Sequence, residues 1–218
     1  MLLFAVLSII PFFLVANTSP IIHEGRAPCV ISAKDIQTIA PDTSICNTTA
    51  QYASECSPAA HAAPFVALSY AHYDISSFGA QAALLSLMLY ETGSFKYDKN
   101  HWPGVPGQGT RNMQSPAFNL KYAEWLATNA PCENINQAAV MKANATGPVA
   151  VLDLLLDDVP SFGSAAWFLT TQCDPSIEDG LAKETKEGWE SYLTDCVGTT
   201  ATDDRTAIWT KAIALGHW

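Results

Sequence analysis

The chain has 218 residues, about one domain once a leader is set aside. Hydrophobic residues make up 49% and charged residues 15%, a balance that builds a large core and excludes a disordered chain. With 21 acidic residues against 11 basic ones the net charge is -10, which argues against nucleic acid and anionic lipid as partners.

In chain order, residues 1–15 form an apolar run without a charged side chain, and small and polar residues follow at 16–19. The run is short for a membrane span and suits a secretory signal peptide cleaved between Val15 and Pro20. Residues 1–19 are therefore read as signal peptide and 20–218 as one folded domain. The mature protein is expected to be secreted, extracellular, free of the membrane and monomeric.

Secretion changes the meaning of the six cysteines, Cys29, Cys46, Cys56, Cys132, Cys173 and Cys196. No two form a C-x-x-C pair, so three disulfides are expected rather than zinc or redox chemistry. Fifteen connectivities exist; the local pairs Cys46–Cys56 and Cys173–Cys196 are expected, leaving Cys29–Cys132. Asn47 and Asn144 head glycosylation sequons, in keeping with an extracellular glycoprotein.

Helix start signals recur along the chain. Ser32 caps an expected helix to about residue 40, with Asp35 at its third position. Ser57-Pro58 opens one towards residue 73, Ser115-Pro116 one to about 128, and Asp174-Pro175 one over 176–194. Ser161 is placed as the cap of 162–171, and Thr202 as the cap of 203–215, with two acids at its positive end. Shorter helices are expected near 133–144 and 148–157. The fold class is mainly α, with a central buried helix and a long loop or small β-hairpin beside it.

That central helix is predicted over 78–92, where Leu84, Leu85, Leu87, Met88, Leu89 and Tyr90 leave almost no polar stripe. Gly93 stands where a left-handed terminating residue belongs. Residues 93–115 are rich in glycine and proline, and loops of that length tend to bind ligands. Glu91 closes the helix. Apolar surroundings and the negative end of the helix dipole both disfavour a carboxylate, so Glu91 is the expected general acid. The competing reading has it simply point to solvent.

The segment that follows carries a resemblance. Glu91, Thr92, Gly93, Ser94 and Phe95 open it, and Gly109, Thr110, Arg111, Asn112, Met113 and Gln114 close it before Ser115-Pro116. This is similar to the pattern of lytic transglycosylases and goose-type lysozymes, a Glu-Ser-x-Phe start followed by Gly-Leu-Met-Gln. Asn100-His101, PGQGTRNMQSPAF over 106–118 and FGSAAWFLTTQC over 162–173 resemble secreted fungal muramidase domains more closely. Asn112 departs from the bacterial motif, which has leucine there, and Thr92 from its serine.

The resemblance implies a lysozyme-like (α+β) catalytic domain over 20–218, a glycosidase that hydrolyses β-1,4 bonds of bacterial peptidoglycan. It implies Glu91 as catalytic acid and Gln114 and Asn112 as lining residues of the polysaccharide cleft. A chitin- or chitosan-active hydrolase and a non-catalytic secreted carbohydrate-binding or host-interaction protein are the alternatives. The acidic surface pulls against adsorption to anionic walls.

A second carboxylate would decide the stereochemistry, roughly 6.5–9.5 Å from the acid for inversion or about 5 Å for retention. Asp98 is the nearest in sequence, with a solvated turn aspartate as the competing reading. Asp74, Asp157 and Asp158 are held in reserve. Without a base, transglycosylation becomes the outcome. Tyr97, His101 and Trp102 are candidate cleft walls or packing under the loop, and Arg111 a ligand contact or a tie for the loop. Trp167 and Phe168 belong to the core. His61 and His72 have no partner motif; neither a metal nor another cofactor is expected.

Overall fold

The computed structural model describes residues 30–132 and 134–218. The expected signal peptide and Cys29 lie outside the described residues. The described chain is mainly helical: α1 (Ala33–Ile39), α2 (Ala59–His72), α3 (Phe78–Glu91), α4 (Pro116–Asn129), α5 (Gln137–Thr146), α6 (Pro148–Asp153), α7 (Asp158–Gln172), α8 (Pro175–Leu181), α9 (Lys186–Ser191) and α10 (Asp203–Ile213). A π-helical turn, Tyr192–Val197, prolongs α9, and 3-10 turns cover Pro41–Ser44 and Ala53–Glu55.

The caps act as their residue types dictate. Ser32 and Asp35 form a reciprocal capping box on α1, so two otherwise unpaired backbone donors are satisfied. Asp174 caps α8 through the Ser176 amide. Elsewhere boundaries move. α2 starts one residue later than Ser57-Pro58 suggests, and Ser57 is buried without capping it. α5 starts at Gln137, capped by Asn136. α6 stops at Asp153, and α7 starts at Asp158, leaving Ser161 buried inside the helix rather than at its end.

The helix expected over 176–194 is two helices. A Cβ on Gly188 would lie 2.4 Å from the Gly180 carbonyl oxygen, so the two backbones approach as only glycine allows. The chain breaks between them, with Glu184 in a left-handed conformation at φ 58° and Thr185 capping α9.

Why α3 lies at the centre follows from its composition. Leu84, Leu85, Leu87, Met88 and Leu89 are each at most 1% exposed, and each such side chain contributes about 1.5–3 kcal/mol by leaving water. α3 packs against α10, α7 and α8, while α2 packs along α7. A second apolar cluster, including Tyr122, Leu126, Val140, Leu155, Trp167 and Phe168, lies among α4, α5, α6 and α7. The expectation for Trp167 and Phe168 therefore holds.

Residues 93–115 form a long loop pinned at two isolated antiparallel bridges, Lys99 with Gly109 and Gly109 with Gln114, and no hairpin ladder forms there. Glycines and prolines interrupt the pairing, and the strands pinch at Gly109, where a Cβ would sit 2.4 Å from the Asp98 carbonyl oxygen. The disulfides Cys46–Cys56 and Cys173–Cys196 are both formed. Such bonds are compatible with an oxidising, extracellular setting. Cys132 is exposed and has no disulfide partner among the described residues. Asn47 and Asn144 are both exposed.

Candidate functional site

α3 ends because Thr92 takes over the hydrogen bonding: its hydroxyl donates to the Met88 carbonyl at 2.6 Å and accepts the Phe95 amide at 2.9 Å. Gly93, Ser94 and Phe95 then adopt left-handed conformations in succession. That turn drives the Phe95 ring into the core against Phe162, with ring centres 5.3 Å apart. Glu91 is thereby left on the last turn of α3, at the edge of a cleft.

The loop returns to the same cleft at Gln108, Asn112, Met113 and Gln114. Thr110 donates to the Ser164 hydroxyl at 2.9 Å, and the Arg111 amide to the Ser161 carbonyl at 3.3 Å, which fixes the turn on α7. Asn119 on α4 holds it from the other side through the Gly107 and Gln114 carbonyls. The cleft, about 330 Å³, is walled by Leu87, Met113, Phe118, Phe168 and Val197 and carries Glu91, Gln108, Asn112, Gln114 and Arg205 as its chief polar groups. Gln114 is only 5% exposed, and neither its carboxamide nitrogen nor its oxygen has a partner; the Asn112 carboxamide oxygen and Arg205 Nε are also buried and unpartnered. Unpaired buried polar atoms cost stability, and their concentration in one cleft marks a place for a ligand.

Arg205 is the residue that sequence reasoning missed. It comes from the first turn of α10, 114 residues from Glu91, and its guanidinium lies 3.0 Å from Glu91 Oε1 and 4.5 Å from the centre of the Tyr90 ring. Glu91 is thus neither bare in apolar surroundings nor pointing freely into water. It is an ion-paired carboxyl, 25% exposed, on the wall of a cleft. No local pattern announces a partner at that distance in sequence.

The remaining candidates lie elsewhere. Asp98 does not line the Glu91 cleft, and the described lining contains no carboxylate besides Glu91. Asp98 is 9% exposed, and its backbone amide donates to Glu55 Oε2 at 3.2 Å. Burial pushes its carboxyl up to about 6; Arg111 opposes the shift and Glu55 reinforces it. His101 Nε2 sits 2.9 Å from both Glu55 oxygens, beneath the Tyr52 ring stacked on it at 3.5 Å. Tyr97 and Trp102 border a separate hollow of about 630 Å³ with Tyr52, and Trp102 is 65% exposed. Arg111 ties the loop down by donating to the Phe95, Tyr97 and Glu55 carbonyls at 3.2, 2.9 and 2.7 Å. Asp157 and Asp158 border an apolar groove with Tyr73 and Tyr122, and Asp74 another hollow beside α2. Among the described residues no group of three or more His, Cys, Asp or Glu side chains is placed to hold a metal ion.

No family model and no solved structure matches the chain. A curated protein does: over 139 residues the chain is 39% identical to a Fusarium oxysporum protein named as a bifunctional dioxygenase and epoxy alcohol synthase. The match covers 63% of this chain and 11% of that protein, so the chain spans roughly a tenth of its curated relative.

These findings correct the reading made from the motifs. The relative is an oxidative enzyme, not a muramidase, and the resemblance to fungal muramidase domains and goose-type lysozymes is overturned by it. Peptidoglycan hydrolysis, the chitin and carbohydrate-binding alternatives, and polysaccharide as a partner fall with it. The geometry gives a physical reason why the motif misled: a Glu at a helix end followed by a Met-Gln turn builds a polar cleft, but Asp98, expected to supply the second carboxylate, is buried outside that cleft with its carboxyl 4.0 Å from Arg111. What survives is coarser: the chain is similar to part of an enzyme, and that enzyme is not a glycosidase.

Proposed function

We propose that the Glu91–Gln114 cleft binds an oxygenated, largely hydrocarbon molecule of the epoxy-alcohol kind, with the ion-paired Glu91 and Arg205 on its wall. The observation that carries this reading is the Gln114 carboxamide, whose donor and acceptor are both buried and unpartnered at the cleft. A hydroxyl group donates one hydrogen bond and accepts others, so it complements a carboxamide; an epoxide oxygen only accepts, which suits the free Nε–H of Arg205. Leu87, Met113, Phe118, Phe168 and Val197 then meet hydrocarbon, and a cleft of about 330 Å³ is large enough for a small ligand. The name of the Fusarium protein supports this ligand class for a related sequence.

Calorimetric titration of the whole protein with a medium-chain epoxy alcohol, beside the alkane of equal length, tests the reading. Saturable binding of the epoxy alcohol alone is expected, weakened roughly 10- to 100-fold in Gln114→Leu because the ligand's polar group loses its partner. Equal binding of both molecules, or of neither, refutes it.

A further inference from the structure

The polar cluster beneath the loop is a feature the cleft does not explain. Glu55 comes from the 3-10 turn beside the Cys46–Cys56 bond; Asp98 and His101 come from the loop, and Arg111 from the loop's far end. Asp98 Oδ1 is buried and has no partner, although the Arg111 guanidinium is 4.0 Å from its other oxygen. Arg111 directs its NH1 and NH2 hydrogens to three backbone carbonyls, so it neutralises Asp98 at a distance without hydrogen-bonding it. The other charges that reach the cluster are Lys99, which turns outward to Asp153 at 3.3 Å, and Asp158, which acts on Arg111 from the start of α7.

We propose that Glu55, Asp98 and His101 form a proton-dependent latch on residues 97–114, closed in weak acid and loosened as the cluster loses protons. In acid Asp98, neutral, faces Glu55 without repulsion, and the Glu55 carboxylate rests against His101 Nε2 at 2.9 Å. As pH rises, Asp98 becomes negative, so two like charges come to face each other. The buried Asp98 carboxyl, at about 6, falls within that interval.

The hydrogen bonds continue from the latch to the cleft. Asn100, between Asp98 and His101, donates its amide to the Gln108 carbonyl at 3.0 Å and its side-chain nitrogen to Gln108 Oε1 at 2.7 Å. Gln108 Nε2 donates to the Met113 carbonyl at 3.0 Å, and the Gly109 amide to the Gln114 carbonyl at 3.3 Å. Gln108, Met113 and Gln114 are all walls of the cleft. Loosening the latch therefore loosens one wall of the ligand site, whatever ligand it takes.

Hydrogen exchange of the full chain at about pH 5 and about pH 7.5, corrected for intrinsic rates, tests this without any ligand. Protection of the amides of Asn100, Gly109 and Met113 should fall about tenfold between the two conditions, while amides in the middle of α3 keep theirs. Asp98→Asn should retain most of the loop protection at the higher pH. Equal wild-type protection at both pH values, or an undiminished fall in Asp98→Asn, overturns the latch. A carbon-detected titration of Asp98 in the wild type guards against a misfolded variant: a midpoint near about 6 agrees, and one near the ordinary value of about 4 refutes.

Discussion

Glu91 and Asp98 are seven residues apart in one connected stretch, yet the molecule treats their carboxyl groups in opposite ways. Glu91 stays partly open at the cleft and is matched by a guanidinium at 3.0 Å that arrives from another helix. Asp98 is closed in, and its nearest guanidinium, at 4.0 Å, is already held by backbone carbonyls. One acid is compensated by a counter-charge, the other by keeping a proton. The contrast teaches that burial alone does not set an acid's behaviour; what matters is whether a cation reaches it with hydrogens to spare.

The harshest way to break the contrast is to remove Arg111. Its side chain is 6% exposed and holds two carbonyls from the start of the loop and that of Glu55, while its charge is what Asp98 and Glu55 face. Arg111→Ala should cost about 3–5 kcal/mol in urea unfolding at neutral pH, since it leaves buried acceptors and a buried carboxylate unmatched. A lysine cannot fork to three carbonyls and should recover only a minor part of that loss. A cost under about 1 kcal/mol would show that the loop is held by its apolar contacts instead.

A milder change sharpens the comparison from the Asp98 side. Its folded carboxyl titrates at about 6 against an ordinary 3.8. Between those values the folded state keeps a proton that the unfolded state has lost, so stability falls as pH rises through that window and is level above it. Asp98→Asn has no proton to lose. It should match the wild type near about pH 4 and exceed it by roughly 1–2 kcal/mol near about pH 7.5, an amount discounted for partial exposure to solvent. Parallel urea series at the two pH values measure the difference, and a variant that tracks the wild type throughout would contradict the assignment.

How much of this was legible in the sequence depends on how far apart the partners are. Ser32 with Asp35, Asp174 with Pro175 and the apolar run of α3 are local signals, and the helices they announce are present. The two short-range disulfides were legible for the same reason. Glu91 and the Gln114 turn line one cleft. Invisible were the Gly180–Gly188 approach that splits one expected helix, the Glu55 partner of His101, and Arg205. Each joins residues through tertiary packing, which periodicity does not encode. Tyr97 and Trp102 border a separate hollow with Tyr52, outside the Glu91 cleft.

The gentlest test asks what the Glu91–Arg205 pair is worth by itself. The two side chains are 25% and 15% exposed, an environment in which water still screens the charges. A double-mutant cycle with Glu91→Gln and Arg205→Gln should therefore return a coupling of roughly 0.5–1 kcal/mol, well below the cost of losing Arg111. Arg205 also lies over the Tyr90 ring and donates to the Thr200 carbonyl at 3.2 Å, so its single variant should lose more than the coupling term. If the coupling instead reaches several kcal/mol, the pair is as deeply committed to the fold as the Asp98 cluster. Glu91 would then be a structural strut rather than a ligand-facing group, and the division between the two acids would disappear.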